Sequence, residues 1–227
     1  MISFHDIAKG SNCMMKFTSV STGIRIEFPA FITEFSDSIS SNFSSETVYG
    51  RMDPIQTYQG TQRRISVAFD VVSPSLEIAK QNMFRYSQLV QVMYPVYSEP
   101  LFGNMGKGRT LKAPPIMRLE FMNLIRNNAL FSDETGLMGT IDGVSFSPNR
   151  EAGFFTQNNE LLSKHFNISF TFQPLHEGEL GFERDRFITE NFPYARSEPI
   201  SPSSNQIPST NSSVQQARAN EITGNED

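Results

Sequence analysis

Residues 166–172 read Phe-Asn-Ile-Ser-Phe-Thr-Phe, with Phe166, Ile168, Phe170 and Phe172 at every second position and Asn167, Ser169 and Thr171 between them. A period of two sends successive side chains to opposite faces, so this stretch is a strand with one apolar and one polar side. Four large apolar groups on one side require a core to receive them. The alternation recurs in Arg64–Val71, which places Ile65, Val67, Phe69 and Val71 together, and in Ile24–Phe28. It continues in Phe31–Phe35, after a proline at Pro29 that breaks or bulges the run. Met117, Leu119 and Phe121 form a further strand, and Ile141–Phe146 another, with Gly143 at a position suited to a β-bulge. The body is therefore mainly β.

One segment has a different period. Between Pro74 and Pro95, Leu76, Ala79, Met83, Tyr86, Val90 and Met93 recur every three or four residues, while Glu77, Lys80, Gln81, Arg85, Gln88 and Gln91 take the other side. Ser73 suits the cap, Pro74 the first turn, and Pro95 the stop. This spacing predicts a long helix over about 74–94, roughly 30 Å in length, packed on a curved sheet or open barrel. The expected class is α+β: mainly β with one long α-helix. The expected organisation is an N-terminal arm over 1–22, a β domain over 23–197 and a polar C-terminal tail over 198–227.

Of 19 basic and 24 acidic residues, one basic and four acidic lie from Glu198 onward, so the first 197 positions carry a net charge of −2. A nearly neutral body argues against a dedicated nucleic-acid-binding domain. No apolar run is long enough to cross a bilayer as a helix, and the first residues do not read as a signal peptide. From Pro199 the chain is rich in Ser, Asn, Gln, Pro and Thr, a composition expected to stay disordered in an isolated subunit.

Groups that carry chemistry are sparse. The single Cys13 excludes an internal disulfide and a thiolate zinc site. His5, His165 and His176 have no partner at metal-ligand spacing, so no catalytic residue, cofactor or metal site is expected. The run Gly103–Thr110 lacks the spacing of a phosphate-binding loop and reads as a basic loop with Lys107, Arg109 and Lys112. Asp133-Glu134 and Glu183–Arg186 read as solvated charge runs or rim contacts. Residues 48–64 are more informative: long, aromatic and Gly-punctuated, with Tyr49, Met52, Ile55 and Tyr58 ill suited to an idle loop. They form either a hairpin in the core or a tongue that docks on a partner.

Three stretches, taken in order, resemble the tube-fold baseplate proteins of contractile-tailed bacteriophages, in particular the tail tube initiator class. They are residues 48–71, the helix ending Leu89–Tyr97, and residues 113–126 followed by 136–148 and 165–177. The most specific part is Tyr49, Gly50, Arg51, Asp53, Pro54, Tyr58, Gly60, Thr61 and Arg63. The resemblance implies a tail-tube-like β-sandwich or open barrel and no catalytic residues. It implies a homo-hexameric ring, stacked between the central baseplate hub protein and the tail tube protein. Neighbouring sheets would join edge to edge around a channel through which DNA passes without specific binding. Subunit-contact candidates are Tyr49, Arg51, Met52, Asp53, Ile55, Tyr58 and Arg63. No cofactor or membrane is implied, and the location is the virion after assembly in the host cytoplasm. Proteins of this kind in other phages often carry a C-terminal peptidoglycan-binding domain; here the polar tail occupies that place. The alternatives are a tail tube or other tail adaptor subunit, or a small β-scaffold hydrolase.

Overall fold

Phenylalanine supplies much of what this chain buries, and strands bring the rings together. The computed structural model describes residues 10, 13–98, 110–127, 136–184, 186–189 and 192–194. The strands of the main sheet are β1 (Met14–Ser19), β2 (Arg25–Pro29), β3 (Phe31–Glu46), β4 (Ile55–Val72), β7 (Met117–Glu120), β8 (Leu137–Pro148) and β11 (His165–Pro174). Short two-stranded ribbons pair β5 (Val96–Tyr97) with β6 (Leu111–Ala113), β9 (Phe154–Gln157) with β10 (Glu160–Ser163), and β12 (Phe182–Glu183) with β13 (Arg186–Phe187). One helix, α1 (Leu76–Val92), follows β4.

The seven strands form one sheet in the order β2-β1-β7-β8-β11-β4-β3, antiparallel at every step. The sheet is rolled. Phe28 on β2 and Phe69 on β4 lie near opposite ends of this order, yet their ring centroids are 6.1 Å apart. Phe17 on β1 meets Phe170 on β11 edge-on at 5.5 Å. The buried cluster inside the roll holds Phe17, Phe28, Phe69, Phe166, Ile168, Phe170 and Phe172. Each fully buried side chain of this size is worth about 1.5–3 kcal/mol relative to exposure. Gly143 is the bulge residue of β8: Asp142 pairs with Thr171 and Val144 with Phe170, and Gly143 takes φ +70°.

The expected α+β class with a long helix is corrected. The helix has 17 residues, about 25 Å, and the fold is mainly β, built on one antiparallel sheet rather than a sandwich of two. The helix starts late because Ser75, not Ser73, is the cap: its hydroxyl accepts from the Ile78 N–H at 3.3 Å. Ser73 is buried instead, and its hydroxyl accepts from the Asn82 side-chain amide at 3.0 Å. At the other end the Met93 N–H closes on the Val90 carbonyl at 3.2 Å, and the chain enters β5 through Pro95. The buried side of α1 is Ala79, Asn82 and Leu89, rotated from the stripe the spacing predicted, in which Met83 is only half-buried. The Asn82–Ser73 bond explains the rotation, because a satisfied amide can occupy a core-facing position. Strand β1 lies within the 1–22 segment expected to be an arm.

Candidate interaction site

Strand β4 changes surroundings halfway along. From Ile65 to Asp70 it lies between β3 and β11; past the Phe172–Ile65 pair β11 no longer pairs with it, and from Arg64 back to Ile55 it has only β3 beside it among the described residues. At roughly 3.4 Å per residue, these two strands run on as an arm about 30 Å long. The expectation of a strand ending near Phe35 falls short, since β3 continues to Glu46.

The arm has two unlike faces. Register carries the core-side face of the sheet outward through Phe35, Asp37, Ile39, Ser41 and Phe43 on β3. Opposite them on β4 are Val67, Ile65, Arg63, Thr61 and, beyond a bulge at Asn42/Phe43, Tyr58, with Gln56 facing Ser45 further out. Gly60, at φ +149°, accommodates that bulge. The other face carries Ser36, Ser38, Ser40, Asn42 and Ser44. Phe43 and Tyr58 stack edge-on at 5.5 Å. The Tyr58 and Thr61 hydroxyls lie 2.6 Å apart, those of Ser41 and Thr61 3.2 Å apart, and the Gln56 amide donates to the Ser45 hydroxyl at 3.1 Å. Yet Ile39, Phe43 and Tyr58 stay 51 %, 58 % and 57 % exposed. The arm therefore carries an alternating face whose large apolar groups stay more than half exposed.

The contact candidates divide along the arm. Tyr49 and Met52 are fully exposed in the connection at its tip, where the Arg51 N–H closes a turn on the Val48 carbonyl at 3.2 Å. Arg51 and Asp53 are exposed there too. Ile55, opposite Glu46, points to the face away from Tyr58. Arg63 is not with them. It is buried at the arm's root in a two-pronged ion pair with Asp37, Nη2 to Oδ2 at 2.7 Å and Nε to Oδ1 at 3.0 Å, and the side chains are 3 % and 5 % exposed. Phe192 lies over its guanidinium at 5.2 Å, and the Tyr194 hydroxyl donates to Asp37 Oδ2 at 3.2 Å. Ile39, Phe43 and Asp37 escaped the reading of the sequence, although serine or asparagine at positions 36, 38, 40, 42 and 44 was a visible period-two signal.

The two described histidines have settled surroundings. His165 Nε2 lies 3.2 Å from Asp70 Oδ2, and its Nδ1 is 3.1 Å from the Asn149 amide. His176 packs on Phe192, centroids 5.7 Å apart; burial, and secondarily the Arg63 charge, hold its pKa below the ordinary imidazole value. Arg118 clasps Glu177 at 2.6 and 2.8 Å, and these hydrogen bonds keep that carboxyl below its ordinary range against the opposing effect of burial. Among the described residues no three His, Cys, Asp or Glu side chains come together as a metal site, and no helix is long and apolar enough to cross a membrane. His5, the 103–109 loop, Asp133-Glu134 and the 198–227 tail lie outside the described residues.

No protein family and no curated protein matches the sequence. A solved chain from the tail of an empty GTA particle of C6 symmetry is similar at 10 % identity and a TM-score of 0.30, over 77 % of this chain and 98 % of that one. A TM-score of that size establishes neither a common fold nor a role.

Proposed function

We propose that this chain is a structural ring subunit of a phage tail baseplate, of the tail tube initiator kind, which joins the central hub to the tail tube. The observation that carries the reading is a sheet with open margins at both sides of one four-strand unit. From Glu34 onward the outer edge of β3 meets no strand among the described residues. On the far side of the unit, β7 pairs with β8 only as far as Gly139, so among the described residues Thr140–Pro148 has β11 on one side alone. Unpaired edges of this length call for partners.

The direction of the strands supports a ring of like subunits. The unit β8-β11-β4-β3 contains four alternating strands, so its two outer strands run in opposite directions. A copy turned about an axis along the strands therefore brings its β8 antiparallel to β3, and the hydrogen-bonding pattern continues around the ring. The arm's bare apolar side then lies on the body of the neighbour. The opposite side of the unit carries the short polar residues Ser36, Ser38, Ser40, Ser66, Ser145, Ser169 and Thr171 among the acidic Glu34, Asp70 and Asp142, with Arg64 as a cation beside them. Facing a channel, such a surface offers a passing polyanion few cations to hold it. The resemblance on residues 49–63 supplies the baseplate and initiator part of the reading; the hexamer, the hub and tube contacts and the virion location rest on it as well.

Native mass spectrometry of the purified chain, alone and with tube and hub proteins, tests the assembly. A closed ring that seeds tube polymerisation is the expected result; a subunit that stays monomeric at high concentration with both partners present overturns it. Copy number per particle separates this role from that of the tube itself: one ring against many.

A further inference from the structure

The root of the arm is a mechanical weak point. A two-stranded ribbon without a third strand or a covering layer is only marginally stable in water, and it bends where its support ends. Here support ends at the Phe172–Ile65 pair: Asp37 sits directly opposite Ile65 at that last supported level, and Arg63, opposite Ile39, is the next core-side residue out on β4. Their ion pair ties the first unsupported core-side position of β4 to the last supported level of β3. The tie to the body comes from the segment Phe192–Tyr194. Phe192 covers the Arg63 guanidinium, Tyr194 donates to Asp37, and the Tyr194 ring lies 6.4 Å from that of Phe35. Phe192 also packs on His176, two residues past the end of β11, so the contact reaches back to the central sheet.

From this juxtaposition we infer that Phe192–Tyr194 is a clamp that sets the direction in which the arm leaves the sheet. The clamp covers the core-side face at Phe35, Asp37 and Arg63 and leaves Ile39, Phe43 and Tyr58 bare. The segment thereby divides one continuous face into a part closed by the chain itself and a part left for a partner. An arm aimed before it meets its partner has less freedom to lose on docking, which favours association without adding any contact. Phe192 and Tyr194 are positioning residues in this scheme, acting through the Arg63–Asp37 pair. The inference concerns the arm within one subunit and stands whether or not the subunit forms rings.

The test is a distance distribution between nitroxides at Met52→Cys on the tip and Gln81→Cys on α1, in a full-length Cys13→Ser background. Labelled subunits are diluted in excess unlabelled protein so that only distances within one subunit are read. A narrow distribution is expected in this background, at least twofold broader in Phe192→Ala/Tyr194→Ala, and of intermediate width in Tyr194→Phe, which loses only the hydroxyl. Hydrogen exchange at β8 and β11 reports whether the body is intact. An unchanged width in the double variant with a protected body overturns the clamp, as does a broad distribution before any clamp residue is changed. Should the double variant lose protection in the body, Tyr194→Phe decides: broadening supports the clamp and an unchanged width overturns it.

Discussion

The two halves of β4 share a strand, an alternating pattern and a neighbour in β3, yet they live differently. Ile65, Val67, Phe69 and Val71 are sealed in the rolled sheet, whereas Tyr58 and Thr61, carried on the same face, stand in solvent. The difference is the third strand. Where β11 pairs with it, the sheet curls over its own apolar face; where that pairing ends, the same pattern continues with its large side chains exposed. Alternation therefore says that a face is to be buried and leaves open whose surface buries it.

Four changes break or sharpen that contrast. Phe170→Ala, in the sealed half, empties a site between Phe17 and Phe69 and is expected to cost about 3–5 kcal/mol in denaturant unfolding of the isolated subunit. At the boundary, Asp37→Ala leaves Arg63 buried without its carboxylate, a loss of about 3 kcal/mol by the same measurement, and the Asp37→Ala/Arg63→Met pair should recover much of it. Recovery would show that the boundary needs closure rather than charge.

Acid should loosen the segment beside the boundary. The folded chain binds a proton at His176 less readily than the unfolded chain, so stability falls as pH drops below the ordinary value of 6.5. Glu177 adds stability that is present above its ordinary value of 4.5 and is lost as pH falls through its lower folded value. Unfolding followed against pH should therefore decline in two stages, and His176→Gln should remove the first while leaving the second.

The smallest effect on the lone subunit belongs to the arm. Phe43→Ser with Tyr58→Ser should change its unfolding free energy by no more than about 0.5 kcal/mol, because neither ring is buried there. The same pair should abolish ring formation in native mass spectrometry. Loss of subunit stability comparable to that of Phe170→Ala would mean that the arm belongs to the subunit's own core.

Much of this was legible in residue order, for reasons of period. Phe166–Phe172 and Arg64–Val71 occupy the strands that spacing predicted, and Gly143 sits at a bulge because the two-residue rhythm of β8 breaks there. The helix was legible as an element and misread as to face and length: a buried Asn82 is visible only once Ser73 is seen to satisfy it. Among the contact candidates, Tyr49, Met52 and Tyr58 do lie exposed on one projecting element. Arg63 looks in sequence like one more member of their motif, and only the pairing of β3 with β4 brings Asp37, distant by 26 positions, beneath its guanidinium.

Local pattern by itself determined which strand residues alternate, that a helix follows β4 and which strand faces are apolar, since those follow from side-chain direction along a backbone of known period. Tertiary structure decided which apolar face meets the chain's own core and which stays exposed. That choice depends on where β11 stops pairing with β4, and on Tyr194, which reaches back to Asp37 at the root of the arm. Both are matters of distance between residues far apart in the chain.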